Sequence, residues 1–115
     1  MSVTIYHNPR CSKSRKALEL LRAEGIEPDI IEYLKTPPSA GKLKDILKRL
    51  GLEPRDLMRK KEAPYKALGL DDDAQKRDAL VKAMVENPIL IERPIVLKGE
   101  KAALGRPPEA VLEIL

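Results

Sequence analysis

Two residues in this chain suited to nucleophilic attack or proton transfer near neutral pH are unique: Cys11 and His7, four positions apart. They sit in the stretch Tyr6-His7-Asn8-Pro9-Arg10-Cys11-Ser12-Lys13-Ser14-Arg15. The chemistry on offer is that of a thiolate, which attacks electrophiles far better than the neutral thiol. A lone cysteine is commonly just a small buried apolar residue. Here its neighbours Asn8, Pro9, Arg10, Ser12 and Lys13 are polar or turn-forming, which favours a reactive thiol. His7 has two readings: a strand-end residue with its ring hydrogen-bonded locally, or a residue that tunes the cysteine.

The elements around this stretch must place the sulfur. The alternation Val3-Thr4-Ile5-Tyr6 reads as a short strand. Asn8-Pro9 breaks it, and Ser12 or Ser14 can cap a helix running through Ala17, Leu18 and Leu21 to Gly25. Cys11 then falls at a strand-to-helix turn beside the unsatisfied N–H groups of the first helical turn. The positive end of the helix dipole favours a thiolate there, and the same amides can bind an anion. Arg10 and Arg15 add positive charge nearby.

Beyond Gly25 and Pro28, Asp29-Ile30-Ile31-Glu32-Tyr33 reads as a second strand, parallel to the first across the helix. Thr36-Pro37-Pro38 ends it. Ser39 is a candidate N-cap for a helix with Leu43, Ile46, Leu47 and Leu50 on one face, stopped by Gly51. Pro54 opens a short helix, a brief turn follows around Pro64 and Tyr65, and Asp71-Asp72-Asp73 suits the start of another helix. That helix turns Leu80, Val81, Met84 and Val85 inward. Consecutive aspartates at a helix start are caps rather than a metal site, so no metal is expected. Pro94-Ile95-Val96-Leu97 and Lys101-Ala102-Ala103-Leu104 flank Gly99-Glu100 as a two-residue hairpin. Pro107 or Pro108 then starts a closing helix with Val111, Leu112 and Leu115 inward.

The 115 residues are enough for one core without staples. With no Trp or Phe, that core must be aliphatic. One cysteine excludes an internal disulfide and points to a reducing compartment, so a cytoplasmic protein is expected. No membrane span or leader is expected. The net charge of +4 invites a nucleic-acid reading. However, the basic residues interleave with Glu and Asp, and no base-stacking aromatic platform is evident. Attraction for a small oxyanion or an acidic protein fits as well.

The stretch from Tyr6 to Arg15 resembles the active-site loop of the glutaredoxin-linked arsenate reductase family. Leu57-Met58-Arg59-Lys60-Lys61-Glu62-Ala63-Pro64-Tyr65, Asn87-Pro88-Ile89-Leu90-Ile91-Glu92-Arg93-Pro94-Ile95 and Gly105-Arg106-Pro107-Pro108-Glu109 also match, in the family's order. The resemblance implies an α/β thioredoxin-like (glutaredoxin-like) fold, a four-stranded mixed sheet flanked by helices. It implies one domain over residues 1–115, with a helical insertion over about 39–87. It further implies a glutathione- and glutaredoxin-dependent oxidoreductase with Cys11 as nucleophile. Arg59, Arg93 and Arg106 take the oxyanion-binding positions, and Pro94 the cis-proline position facing the cysteine. His7, Asn8, Arg10, Ser12, Ser14 and Arg15 form the loop that tunes the thiolate.

Arginine suits the task, because its planar fork binds two oxygens of a tetrahedral oxyanion without losing charge. Arsenate, glutathione as co-substrate and glutaredoxin are the implied partners. No bound cofactor, nucleic acid or membrane is implied, and a monomer is expected. Two alternatives share the scaffold. One is a glutathione-using thiol oxidoreductase with another substrate. The other is an RNA-polymerase-binding regulator that senses oxidation through Cys-x-x-Cys, where this chain has Ser14 as the last residue.

Overall fold

The computed structural model describes residues 2–115. They form two compact units. One joins the two ends of the chain, up to Thr36 and from Arg93 onward; the other is Pro37–Glu92.

The first unit is built on a four-stranded sheet. Strand β1 (Val3–His7) leads into helix α1 (Ser12–Ala23), which returns to β2 (Asp29–Glu32). Strands β3 (Ile95–Lys98) and β4 (Lys101–Leu104) complete the sheet in the order β2-β1-β3-β4. β1 runs parallel to β2, with Tyr6 opposite Ile31 and His7 opposite Glu32. It runs antiparallel to β3, which is antiparallel to β4. A helical crossover is what parallel neighbours require, and a tight turn is what antiparallel ones allow. Gly99 supplies the turn's positive φ of 59°.

The core of this unit is aliphatic, as the composition demands. Val3, Ile5, Ala17, Leu21, Val96 and Val111 are buried together, with Leu18, Ile26, Leu112 and Ile114 packed against them. Burying a side chain as large as Ile5 or Leu21 stabilises the fold by about 1.5–3 kcal/mol. The closing segment Pro108–Ile114 is a 3₁₀ helix rather than an α-helix. Three residues per turn put Ile114 in line with Val111 and leave Leu115 36% exposed, which corrects the inward placement of Leu115.

The second unit is helical. Helix α2 (Ala40–Leu50) starts as expected, with the Ser39 hydroxyl accepting from the Lys42 amide at 3.1 Å. It ends at Gly51, whose φ is 69°. Leu43, Ile46 and Leu47 are buried, and α2 packs against α4 (Arg77–Glu86), with the short α3 (Ala63–Ala67) between them in the chain. The three aspartates do not cap α4, because that helix begins only after Lys76. Asp72 instead folds its own turn, its carboxylate accepting from the Ala74 amide at 2.9 Å and its carbonyl from the Gln75 amide. Such local bonding is the alternative use of an aspartate near a helix start. Val85 is only partly buried, and Ala83 takes an inner position.

A single antiparallel bridge, Met58 opposite Ile91, ties the middle of this unit to its end. The Arg59 amide donates to Leu90 O at 2.7 Å, and the Glu92 amide to Leu57 O at 2.8 Å.

Candidate active site

The loop between β1 and α1 is a turn built by its own sequence. The Cys11 amide donates to Asn8 O at 3.0 Å, with Pro9 in the second position, where its fixed φ suits a turn. The Asn8 side chain accepts from the Arg10 amide at 3.0 Å, closing a second small ring. Cys11 itself is the N-cap residue of α1, with extended backbone (φ −92°, ψ 123°) and its carbonyl accepting from the Arg15 amide. Neither Ser12 nor Ser14 is the cap. Ser12 is exposed at the first helical position, and Ser14 is completely buried with its hydroxyl turned to other partners.

Ser14 Oγ lies 2.6 Å from His7 Nδ1 and accepts from the Asn8 amide at 3.0 Å. It therefore clamps the end of β1, the start of the loop and the first turn of α1. His7 is buried, and burial is the main cause holding its pKa below the ordinary value. Glu32 opposes that shift, while Arg22 and Arg15 reinforce it. Its hydrogen bond to Ser14 ties the end of β1 to the first turn of α1.

Cys11 is 9% exposed, and burial on its own pushes the thiol pKa up. Four opposing influences outweigh it and leave the pKa below the ordinary thiol value. In order they are hydrogen bonding from the Ser14 amide, the charge of Arg93, the Lys13 amide and a hydrogen bond from the Arg93 side chain. Each favours the anion over the thiol. Among the arginines, Arg93 is the one that acts on the sulfur. Arg10 is exposed, and Arg15 directs its guanidinium to Pro9 O at 2.9 Å. The structure thus brings together Cys11, the amides of α1 and Arg93.

Arg93 and Arg106 flank one end of the β3–β4 ladder, where Ile95 faces Leu104. Both Arg93–Pro94 and Arg106–Pro107 are cis peptide bonds. The Pro94 carbonyl accepts from the Gly105 amide at 2.8 Å. A Cβ at residue 105 would lie 2.6 Å from Pro94 Cγ, so glycine is required for that approach. Sequence reasoning missed Gly105 and the second cis bond. An X–Pro bond is cis in only about 5–6% of cases, and nothing local distinguishes Pro107.

Arg59 belongs to the second unit, where its guanidinium meets Glu62 at 2.9 Å and Glu92 at 3.8 Å. These carboxylate partners were also missed, although Glu62 stands three residues from Arg59 and Glu92 directly precedes Arg93. Among the described residues, no group of three or more His, Cys, Asp or Glu side chains could hold a metal ion. No helix among them is long and apolar enough to cross a membrane.

A cysteine at a helix N-terminus, on a four-stranded sheet of this order, is the arrangement of a thioredoxin-like fold. Residues 6–114 match the model of the ArsC family, and the chain belongs to that family. It is 53% identical to a Haemophilus influenzae protein named arsenate reductase, each chain covered completely. It is 56% identical to the Escherichia coli K12 protein named uncharacterized protein YfgD, over 98% of this chain and 96% of the other. The solved structure of an arsenate reductase from Vibrio cholerae superposes with a TM-score of 0.97 at 57% identity, covering 100% of this chain and 98% of that one.

Proposed function

We propose that the protein is an arsenate reductase that draws its electrons from glutathione and glutaredoxin. The observation that carries this reading is the Cys11 sulfur at the N-terminus of α1, its pKa lowered by two amides and Arg93. The names of relatives at about half identity support the arsenate reductase part of the reading.

The Cys11 thiolate attacks arsenic(V), forming a sulfur–arsenic bond while one arsenate oxygen leaves as water after protonation. The amides of α1 and the guanidinium groups of Arg93 and Arg106 stabilise the oxyanion, because their charge acts where negative charge develops. Arg59 is assigned to the same task on family likeness. A glutathione thiolate then attacks the Cys11 sulfur. The sulfur–arsenic bonding pair stays on arsenic, which becomes arsenite, and a Cys11–glutathione disulfide remains. Glutaredoxin removes the glutathione and restores the Cys11 thiol. Two thiol sulfurs are oxidised for the two electrons that arsenic gains. The chain has one cysteine, so the second sulfur must come from another molecule. His7 holds the loop and need not act as base, since a preformed thiolate requires none.

The test is arsenate turnover with glutathione and glutaredoxin, alongside phosphate and a mixed-disulfide substrate as controls. Arsenite release coupled to glutathione oxidation is expected. Turnover of the mixed disulfide alone would transfer the same nucleophile to a thiol oxidoreductase and overturn the arsenate assignment.

A further inference from the structure

A groove of about 330 Å³ opens on the side of the loop that leads into Cys11. Asn8, Pro9 and Arg10 form one part of its lining, and Glu32, Leu34 and Lys35 another. His7 joins the two parts through its pairing with Glu32 across β1 and β2. Its volume is at the small end of ligand sites, about 300–1,000 Å³, and well beyond what one tetrahedral oxyanion fills. The charges are mixed: two cations, Arg10 and Lys35, and one carboxylate, Glu32, which meets Lys35 at 3.6 Å. Leu34 adds an apolar surface that is 42% exposed.

This pattern disfavours a purely anionic ligand, which Glu32 would repel. It fits a small molecule with two carboxylates, one ammonium and a short uncharged middle. Arg10 and Lys35 would pair with the carboxylates, Glu32 with the ammonium, and Leu34 would cover the middle. Arg10 immediately precedes Cys11 in the chain, so the lining of the groove belongs to the nucleophile's own loop. We propose that this groove is the subsite for the zwitterionic thiol co-substrate of the reaction above, with Lys35 and Glu32 as its specificity residues. The assignment rests on the reading of the protein as a glutathione-using enzyme.

S-methylglutathione, which carries the same charges and cannot react, is the probe. Titrated into the whole protein and followed by amide NMR, it should shift Arg10, Glu32, Leu34 and Lys35 saturably. Lys35→Glu and Glu32→Lys should each weaken that binding by about tenfold, since each replaces a pairing charge by a repelling one. In turnover assays, Lys35→Glu should raise the KM for glutathione by a similar factor and leave the KM for arsenate in place. No saturable shift, or an affinity that neither charge reversal changes, overturns the groove. Saturable binding in a protein that fails to reduce arsenate supports the groove and overturns the arsenate reading alone. Arsenate turnover with an unaltered glutathione KM in Lys35→Glu does the reverse.

Discussion

Helices α1 and α2 begin in the same way and put that beginning to different uses. Each has an N-cap residue in extended conformation, Cys11 or Ser39, and neither carries an acidic residue in its first turn. At α2 the cap oxygen accepts from the Lys42 amide, and the matter ends there: an orphan donor is satisfied and the helix is held. At α1 a sulfur stands where that oxygen would be, and the Ser14 and Lys13 amides lower its pKa. The same kind of N–H group holds a hydroxyl in one helix and lowers the pKa of a thiol in the other. Both first turns also carry basic residues, Lys13 and Arg15 in α1 and Lys42 in α2, at the positive end of the helix, where an anion offsets their charge.

The strongest way to break this comparison is to make the caps alike. Cys11→Ser should abolish arsenate turnover, because a hydroxyl near neutral pH is a far poorer nucleophile than a thiolate. It should leave the fold intact, since serine is among the preferred N-caps. Turnover and a thermal melt of the same preparation check both halves. Arsenate reduction undiminished in this variant would place the chemistry elsewhere in the chain.

The next effect concerns what α1 has and α2 lacks, a guanidinium on its cap residue. Arg93→Ala should lower turnover by about ten- to hundredfold, or roughly 1.5–3 kcal/mol, the scale of a charged hydrogen bond. The pH profile of Cys11 alkylation should move to higher pH in the same variant. Arg93→Lys should restore the charge and only part of the rate, because the fork is lost. An unmoved alkylation profile would remove Arg93 from the sulfur.

A smaller effect is expected at the other cap. Ser39→Ala should cost about 1 kcal/mol of stability, read by chemical denaturation. The alkylation rate of Cys11 should not change, because Ser39 caps a helix of the other unit. A changed rate would show that the two helix starts are not independent.

How much of this was legible depended on how local each cause is. Strand β1, helix α2, the Ser39 cap and the Gly99 turn follow from alternation, helical spacing and turn chemistry within a few residues. The N-cap of α1 was misplaced for a physical reason. Propensity favours Ser12 or Ser14 over a cysteine, but the Ser14 hydroxyl is held by His7 and Asn8, contacts that exist only once β1 and α1 have come together. The Asp71–Asp73 run was misread because a capping carboxylate and a turn-forming one look identical in sequence. Arg93 shows the limit best. Its place before a proline at one end of the hairpin separates it only weakly from other surface arginines, and the β1–β3 pairing is what brings its segment alongside the strand that leads to Cys11. Family likeness picked it out where the local signal was too weak.

The smallest effect follows from the sulfur's charge and tests whether its N-cap position contributes stability as well as reactivity. The Cys11 pKa is below its ordinary value in the folded protein, so the folded state releases this proton at a lower pH than the unfolded chain does. Below the folded pKa both states carry the proton, and the thiol adds no pH-dependent stability. As pH rises from the folded pKa toward the ordinary thiol value, the unfolded state holds more proton than the folded one, and stability grows. Above the ordinary value the gain is complete and constant. Cys11→Ser does not titrate in this range, so subtracting its stability isolates the contribution. Denaturation curves for parent and variant, taken from pH 6 to about pH 10, should show a difference that moves in favour of the parent through this window and then levels. A flat difference would mean that the amides and Arg93 hold the sulfur no better as an anion than as a thiol. In that case Cys11 would be an ordinary cap residue, and the contrast with Ser39 would disappear.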